Sequence, residues 1–208
     1  MKNFCEKYNV SRETFDKLKC YQELLLSWQQ KFNLVGPATL EDAWDRHFLD
    51  SVQLFSLVPE NAKVLYDFGS GAGFPGMVLA IIANEKMPNL EVNLVESTGK
   101  KTLYLNEVKE QTDTKVNIIN ERIEKIPAQK ADVITSRAMA SLNDLLGYAV
   151  RFCKEETVCI FPKGKKYAEE LAEAHRHWKF KCQILPSEQS SEGRILVITK
   201  LSKIKGEK

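Results

Sequence analysis

Neither sign of charge dominates this chain: 30 lysines and arginines stand against 28 acidic residues, a net charge of +2. Overall charge therefore does not announce a nucleic-acid partner, and only a locally basic groove would serve one. The five cysteines, Cys5, Cys20, Cys153, Cys159 and Cys182, form no CxxC pair and share no ligand spacing with histidine. That pattern speaks against a metal site, and the odd number speaks against a disulfide frame; reduced thiols in a cytoplasmic protein are expected. The N-terminal stretch MKNFCEKYNVSRETF carries charges throughout and lacks the apolar centre of a secretory leader. No apolar run approaches the ~20 residues of a membrane span. Internal repeats and low-complexity tracts are also missing.

What is present comes in two rhythms. Up to about residue 60 the pattern is helical. Leu18, Tyr21, Leu25, Trp28 and Phe32 recur at threes and fours, one face of a helix, with SRET from Ser11 as its start signal. Gly36-Pro37 breaks it. Trp44, Phe48, Val52 and Phe55 mark a second helical stretch that ends before Pro59. Trp28 and Trp44 are expected in the core.

From Lys63 strands and helices alternate. Strands are expected at 63–69, 90–97, 115–122, 131–138 and 157–164, and helices at 75–86, 100–110, 141–152 and 166–178. Pro75 suits a first helical turn, and SLND at 141–144 reads as a capping box. The stretches 179–186 and 193–201 read as strands with only a polar loop between them, so they pair antiparallel. Alternation of this kind gives an α/β fold, a mostly parallel Rossmann-like sheet with an antiparallel last strand. Residues 1–60 are expected as a helical extension and 61–208 as the sheet domain.

Four glycines crowd DFGSGAGFPG, residues 67–76. Glycine costs about 0.5–1 kcal/mol relative to alanine within a regular element, so such a cluster at a strand-to-helix turn implies close approach of the backbone to a ligand. GxGxxG alone is a weak sign of a dinucleotide. Asp67 at the strand end fits a cation better than a pyrophosphate. Glu96, closing the next strand, is placed to accept hydrogen bonds from ribose hydroxyls. The chain has no second mononucleotide-binding half and closes with a hairpin. Both favour S-adenosylmethionine over NAD, with Asp67, Gly69, Gly71, Gly73 and Glu96 as its contacts.

RHFLDS (46–51), YDFGSGAGFPG (66–76), VESTGKKTLYLNEV (95–108), NERIEKI (120–126), ITSRAMASLNDLL (134–146) and FPKG (161–164) together resemble the RsmG family, also called glucose-inhibited division protein B. The resemblance runs from about Trp28 to the C-terminus. It implies a class I methyltransferase fold with an N-terminal helical extension. The implied reaction is transfer of a methyl group from S-adenosylmethionine to N7 of a guanine in bacterial small-subunit ribosomal RNA. It places cofactor contacts at Gly69, Phe74, Ile123, Glu124 and Arg137, with adenine held around Ile123–Glu124. The family often carries Asp where this chain has Glu96.

Guanine N7 offers a lone pair and carries no proton, so proximity and orientation suffice and no base is needed. The chain has neither an Asn-Pro-Pro-aromatic motif nor a Pro-Cys dipeptide, which other base methylations use. Arg137 is expected at a strand end, on the cofactor carboxylate or on guanine O6; a salt bridge to Asp67 or Glu124 is the structural alternative. Lys163, with Lys165 and Lys166 beside it, and Lys100, with Lys101 at a helix start, are candidates for RNA phosphate. A solvated lysine face is the alternative there. Arg46 and His47 are candidates beside the target base, against an ion pair of Arg46 with Asp42 or Asp50. His175 and His177 are expected in solvent.

The expected partner is small-subunit ribosomal RNA or the small subunit itself, with no membrane, no metal and a monomeric chain. Two rival functions stand beside methyl transfer: a non-catalytic RNA-binding assembly factor that keeps a cofactor pocket, and an NAD-dependent oxidoreductase.

Overall fold

A computed structural model describes residues 2–204; the first residue and the last four of the two expected segments lie outside that range. The helical rhythm produces α1 (Lys2–Tyr8) and α2 (Arg12–Gln29). Ser11 caps α2, its hydroxyl accepting from the Thr14 amide at 3.0 Å. The Ser11 amide is taken by the carboxylate of Glu85, at 3.0 and 3.2 Å, instead of by a residue of its own helix. The second helical stretch is wound in three ways. Trp44–Leu49 is a π-turn, α3 (Asp50–Val52) follows, and Gln53–Leu57 is a 3₁₀ turn.

Then come β1 (Val64–Phe68), α4 (Gly76–Lys86), β2 (Glu91–Val95), α5 (Gly99–Gln111), β3 (Asn117–Ile119) and β4 (Ala131–Thr135). They are followed by α6 (Leu142–Phe152), β5 (Cys153–Lys163), α7 (Tyr167–Ala174), β6 (Trp178–Pro186) and β7 (Arg194–Lys203). The seven strands lie in the order β3-β2-β1-β4-β5-β7-β6. β1 to β5 are parallel; β7 runs against both β5 and β6. This is the expected sheet with its antiparallel last strand.

Boundaries differ where side-chain pattern alone is ambiguous. β5 starts at Cys153, four residues before the expectation, because a register shift opposite Ala131–Val133 absorbs the extra length. β3 keeps only three residues. α7 stops at Ala174, and Trp178, expected as the last residue of that helix, opens β6 while staying buried.

Alternation along β1 divides the core. Leu65 joins the cluster under α2, α4 and α5; Tyr66 and Phe68 join the opposite one under α6 and α7. Every residue of α4 from Gly76 to Ala83 is buried. A helix apolar all round must be covered on all sides, and α2 supplies the cover: Leu18, Tyr21 and Leu25 belong to the same cluster as α4. The N-terminal helices are thus part of the packing of the sheet, and they reach its carboxyl edge.

Candidate functional site

The turn after β1 is held by its own backbone. Ser70 N donates to Val95 O at 3.1 Å, Gly73 N to Ser70 O at 2.7 Å, and Gly71 N to Glu96 Oε2 at 2.8 Å. Gly69, Gly71 and Gly73 take φ of 64°, 58° and 94°, where a side chain is strained.

The glycines nevertheless serve different neighbours. A Cβ on Gly69 would strike the Met139 side chain, and one on Gly73 would strike the Tyr21 hydroxyl and Met77 Cβ. One on Gly76 would strike Asp67 and Leu94. Only Gly71 faces open space, its nearest neighbour being Gly69 O at 3.8 Å. Gly73, expected on the ligand, is instead the seat of Tyr21, which donates to Ala72 O and ties α2 to the turn.

Asp67 also departs from its expected place on the ligand. It is fully buried beneath the turn, because alternation points it with Leu65 toward α4. Its carboxylate accepts from Thr135 Oγ1 at 2.8 Å and from Gly76 N at 3.3 Å. Burial raises its pKa to about 6, against those hydrogen bonds and the attraction of Arg137.

Above the turn lies a cavity of about 1100 Å³, at the upper end of ordinary ligand pockets or beyond it. One wall comes from strand ends. Gly69, Gly71, Phe74 and Glu96 line it, as do Ile123, Glu124 and Arg137. The carboxylate of Glu96 accepts from Gly71 N and, at 2.7 Å, from Thr98 N. Next to Arg137, Ala138 sits at φ 54°, a strained conformation for alanine.

The other wall belongs to the N-terminal segment, with Thr39, Arg46, His47 and Asp50, and to the β6–β7 loop. Arg137 crosses between the walls. Its Nη1 reaches Arg46 O at 3.1 Å and Asp50 Oδ2 at 3.4 Å, and its Nη2 reaches His47 Nδ1 at 2.9 Å. Its guanidinium also covers the Phe74 ring at 5.1 Å. The salt bridge of Arg137 is therefore with Asp50, not with Asp67 or Glu124. Burial, with the nearby charges of Arg137 and Arg46, pushes the His47 pKa down to about 4.

The basic candidates separate. Arg46 is exposed on the cavity, and among the described residues its side chain pairs with neither Asp42 nor Asp50. Lys163 lines the cavity but is tied down, donating to Ala140 O at 2.9 Å and Glu170 Oε2 at 2.8 Å. Glu170 also accepts from Leu142 N at 2.7 Å, fixing the start of α6. Lys100 lies off the cavity, its ammonium over the Phe32 ring at 5.0 Å, and its neighbour Lys101 faces the cavity instead. Lys165 is exposed and does not line it. Sequence reading missed Asp50, Thr39 and Tyr21. Asp50 lies within RHFLDS, where spacing alone offers it only as a partner for Arg46.

The residues present fit S-adenosylmethionine. An open backbone position at Gly71, a carboxylate at Glu96, and the apolar side chains of Phe74 and Ile123 surround one space with an arginine at its edge. Among the described residues no cluster of His, Cys, Asp or Glu would hold a metal, and no helix is long and apolar enough to cross a membrane.

Residues 14–195 match the family model for rRNA small subunit methyltransferase G, GidB. The protein of that name from Rhodospirillum centenum is 42% identical over 200 residues, covering 96% of this chain and 90% of its own. The one from Paramagnetospirillum magneticum is 44% identical over 197 residues, covering 95% and 94%. Among solved structures, M. jannaschii TYW2 in complex with AdoMet superposes with a TM-score of 0.56 at 16% identity, covering 82% of this chain and 78% of that one. A mutant of MtNAS in complex with S-adenosylmethionine gives 0.59 at 16% identity, covering 88% and 74%. At that identity the likeness is one of fold.

Proposed function

The chain belongs to the rRNA small subunit methyltransferase G family, and on that footing we propose that it methylates N7 of a guanine in bacterial small-subunit ribosomal RNA. The observation that carries this reading is the single two-walled cavity, with cofactor-type residues on the strand-end wall and a free Arg46 on the other. When bound, S-adenosylmethionine supplies a methyl carbon already activated by its sulfonium sulfur.

The chain's residues then have positional work. Glu96 accepts from ribose hydroxyls, with Oε1 and Oε2 each keeping a further lone pair beside the amide it already holds. Ile123 and the backbone at Glu124 receive the adenine, and Phe74, beneath the Arg137 guanidinium, backs the other end of the cofactor. Arg137 holds the cofactor carboxylate, for which a guanidinium is matched in shape and charge. Gly69 and Asp67 build the turn from below. Arg46 donates to guanine O6, and Lys101 and Arg122, both on the cavity, meet the flanking phosphates.

Guanine N7 carries a lone pair and no proton, so no residue has to remove one. That agrees with a cavity whose histidine has both ring nitrogens engaged. Rate then comes from holding donor and acceptor in line. The target base leaves its stack to enter.

The division at residue 60 is a difference of emphasis: the helical extension supplies Arg46 toward the acceptor and His47 and Asp50 beside Arg137, and the sheet part supplies the strand-end wall that takes the cofactor. The shared core of α2 and α4 supports joint folding of the two. A cytoplasmic monomer completes the reading.

The test uses small-subunit particles and deproteinised RNA from a strain lacking this protein, with labelled S-adenosylmethionine. One guanine that becomes cleavable as an N7-methylated site is expected. Cofactor binding without label in either substrate would favour an assembly factor and contradict methyl transfer.

A further inference from the structure

Arginine is always protonated and has five N–H donors and no acceptor. The 2.9 Å contact between Arg137 Nη2 and His47 Nδ1 is therefore a hydrogen bond in which the imidazole nitrogen accepts. The ring proton then belongs on Nε2. That atom lies 2.9 Å from Thr39 Oγ1, which in turn donates to Gly36 O at 2.7 Å. Both nitrogens of His47 are thus engaged, the residue is 8% exposed, and its ring stacks on Phe74 with centroids 5.1 Å apart. Nothing on the ring remains for RNA.

Asp50 is similarly committed. One carboxylate oxygen faces Arg137 Nη1; the other accepts from Gln53 Nε2 at 2.8 Å and from Ser187 Oγ at 3.2 Å. On Arg137, Nη1 is taken by Arg46 O and Asp50, and Nη2 by His47. Nε–H has no partner among the described residues. In the planar guanidinium Nε–H and one Nη2–H lie side by side, the spacing that a carboxylate takes up with two parallel bonds.

We propose that His47 and Asp50 are positioning residues: a clamp from the N-terminal segment that turns the unused edge of Arg137 toward the cofactor carboxylate. This rests on the cofactor reading of the cavity given above. His47 is thereby moved from the RNA side of the site to the cofactor side. The same carboxylate of Asp50 also holds Ser187 at the start of the β6–β7 loop, so the N-terminal segment and that loop, which form the second wall, are referenced to one side chain.

The test is a double-mutant cycle read by calorimetric binding of S-adenosylhomocysteine. His47→Phe keeps a ring on Phe74 and removes the acceptor; Asp50→Asn keeps the shape and removes the charge. Each is expected to weaken binding about tenfold in the native background and less than about twofold in Arg137→Ala. His47→Asn, which returns an acceptor near Nδ1, is expected to recover most of the loss. Equal losses with and without Arg137 would mean a general structural effect and would overturn the clamp. So would unchanged binding.

If the native protein fails to bind S-adenosylhomocysteine, the cofactor reading fails, and the clamp is still tested by ¹⁵N NMR of His47 in the free protein. The Nε2–H tautomer at neutral pH is expected; an Nδ1–H tautomer or an imidazolium would refute it.

Discussion

The two walls of the cavity are built by different means. The strand-end wall is held by backbone: amides of Ser70, Gly71 and Gly73 and the carboxylate of Glu96, all within a few residues of β1 and β2. The N-terminal wall is held by side chains that reach across the fold, Tyr21 to Ala72 and Arg137 to His47 and Asp50. A wall made of local backbone leaves its mark in sequence as glycine spacing. A wall made of distant side chains leaves scattered single residues.

The sharpest break in this comparison comes from glycines that look alike. Gly73→Ala places a methyl against Tyr21 and Met77 at φ 94°, so a loss of about 2–4 kcal/mol in unfolding free energy is expected. Gly71→Ala, at φ 58° with open space around it, is expected to cost only about 1 kcal/mol. Urea unfolding of both variants compares them directly. An equal loss would mean that Tyr21 does not seat on Gly73.

The walls also respond to pH in opposite senses. The Asp67 pKa is raised to about 6 from 3.8, so its contribution to stability is complete below about 4 and is lost as pH rises through 6. The His47 pKa is lowered to about 4 from 6.5, so its contribution is complete above 6.5 and is lost as pH falls through 4. Stability profiles between pH 4 and 7 are therefore expected to steepen in opposite directions in Asp67→Asn and His47→Phe. Parallel profiles would contradict the assignment of either group.

A smaller effect separates two neighbouring tyrosines. Tyr21→Phe removes the bond to Ala72 O and is expected to cost about 1 kcal/mol, with weaker binding of S-adenosylhomocysteine. The Tyr104 hydroxyl is buried without a hydrogen-bond partner among the described residues. Tyr104→Phe is thus expected to stabilise by up to about 1 kcal/mol. Thermal unfolding of the pair checks the sign of each.

Sequence reading recovered the sheet, its order of elements and the glycine turn because each rests on short-range pattern. Val64–Phe68 and Glu91–Val95 are short strands buried on both faces, and Ser141 caps α6 through Asp144 as SLND implies. It misplaced Asp67 and Gly73 because a glycine-rich string does not say which glycine faces a ligand and which faces a tyrosine 52 positions earlier. It missed Asp50 because spacing on one helix offers Arg46 as its partner, whereas the chain brings Arg137 there from 87 residues away. Lys100 and Lys101 show the limit at its smallest: one side chain lies over Phe32 and its neighbour faces the cavity.

The central claim is that both walls form one cofactor site, and amide hydrogen exchange with and without S-adenosylhomocysteine tests it most directly. A single two-walled site predicts slowed exchange at residues 69–74 and 121–124 and also at 44–50. Slowing confined to the strand-end segments would contradict it and leave the N-terminal wall outside the cofactor site.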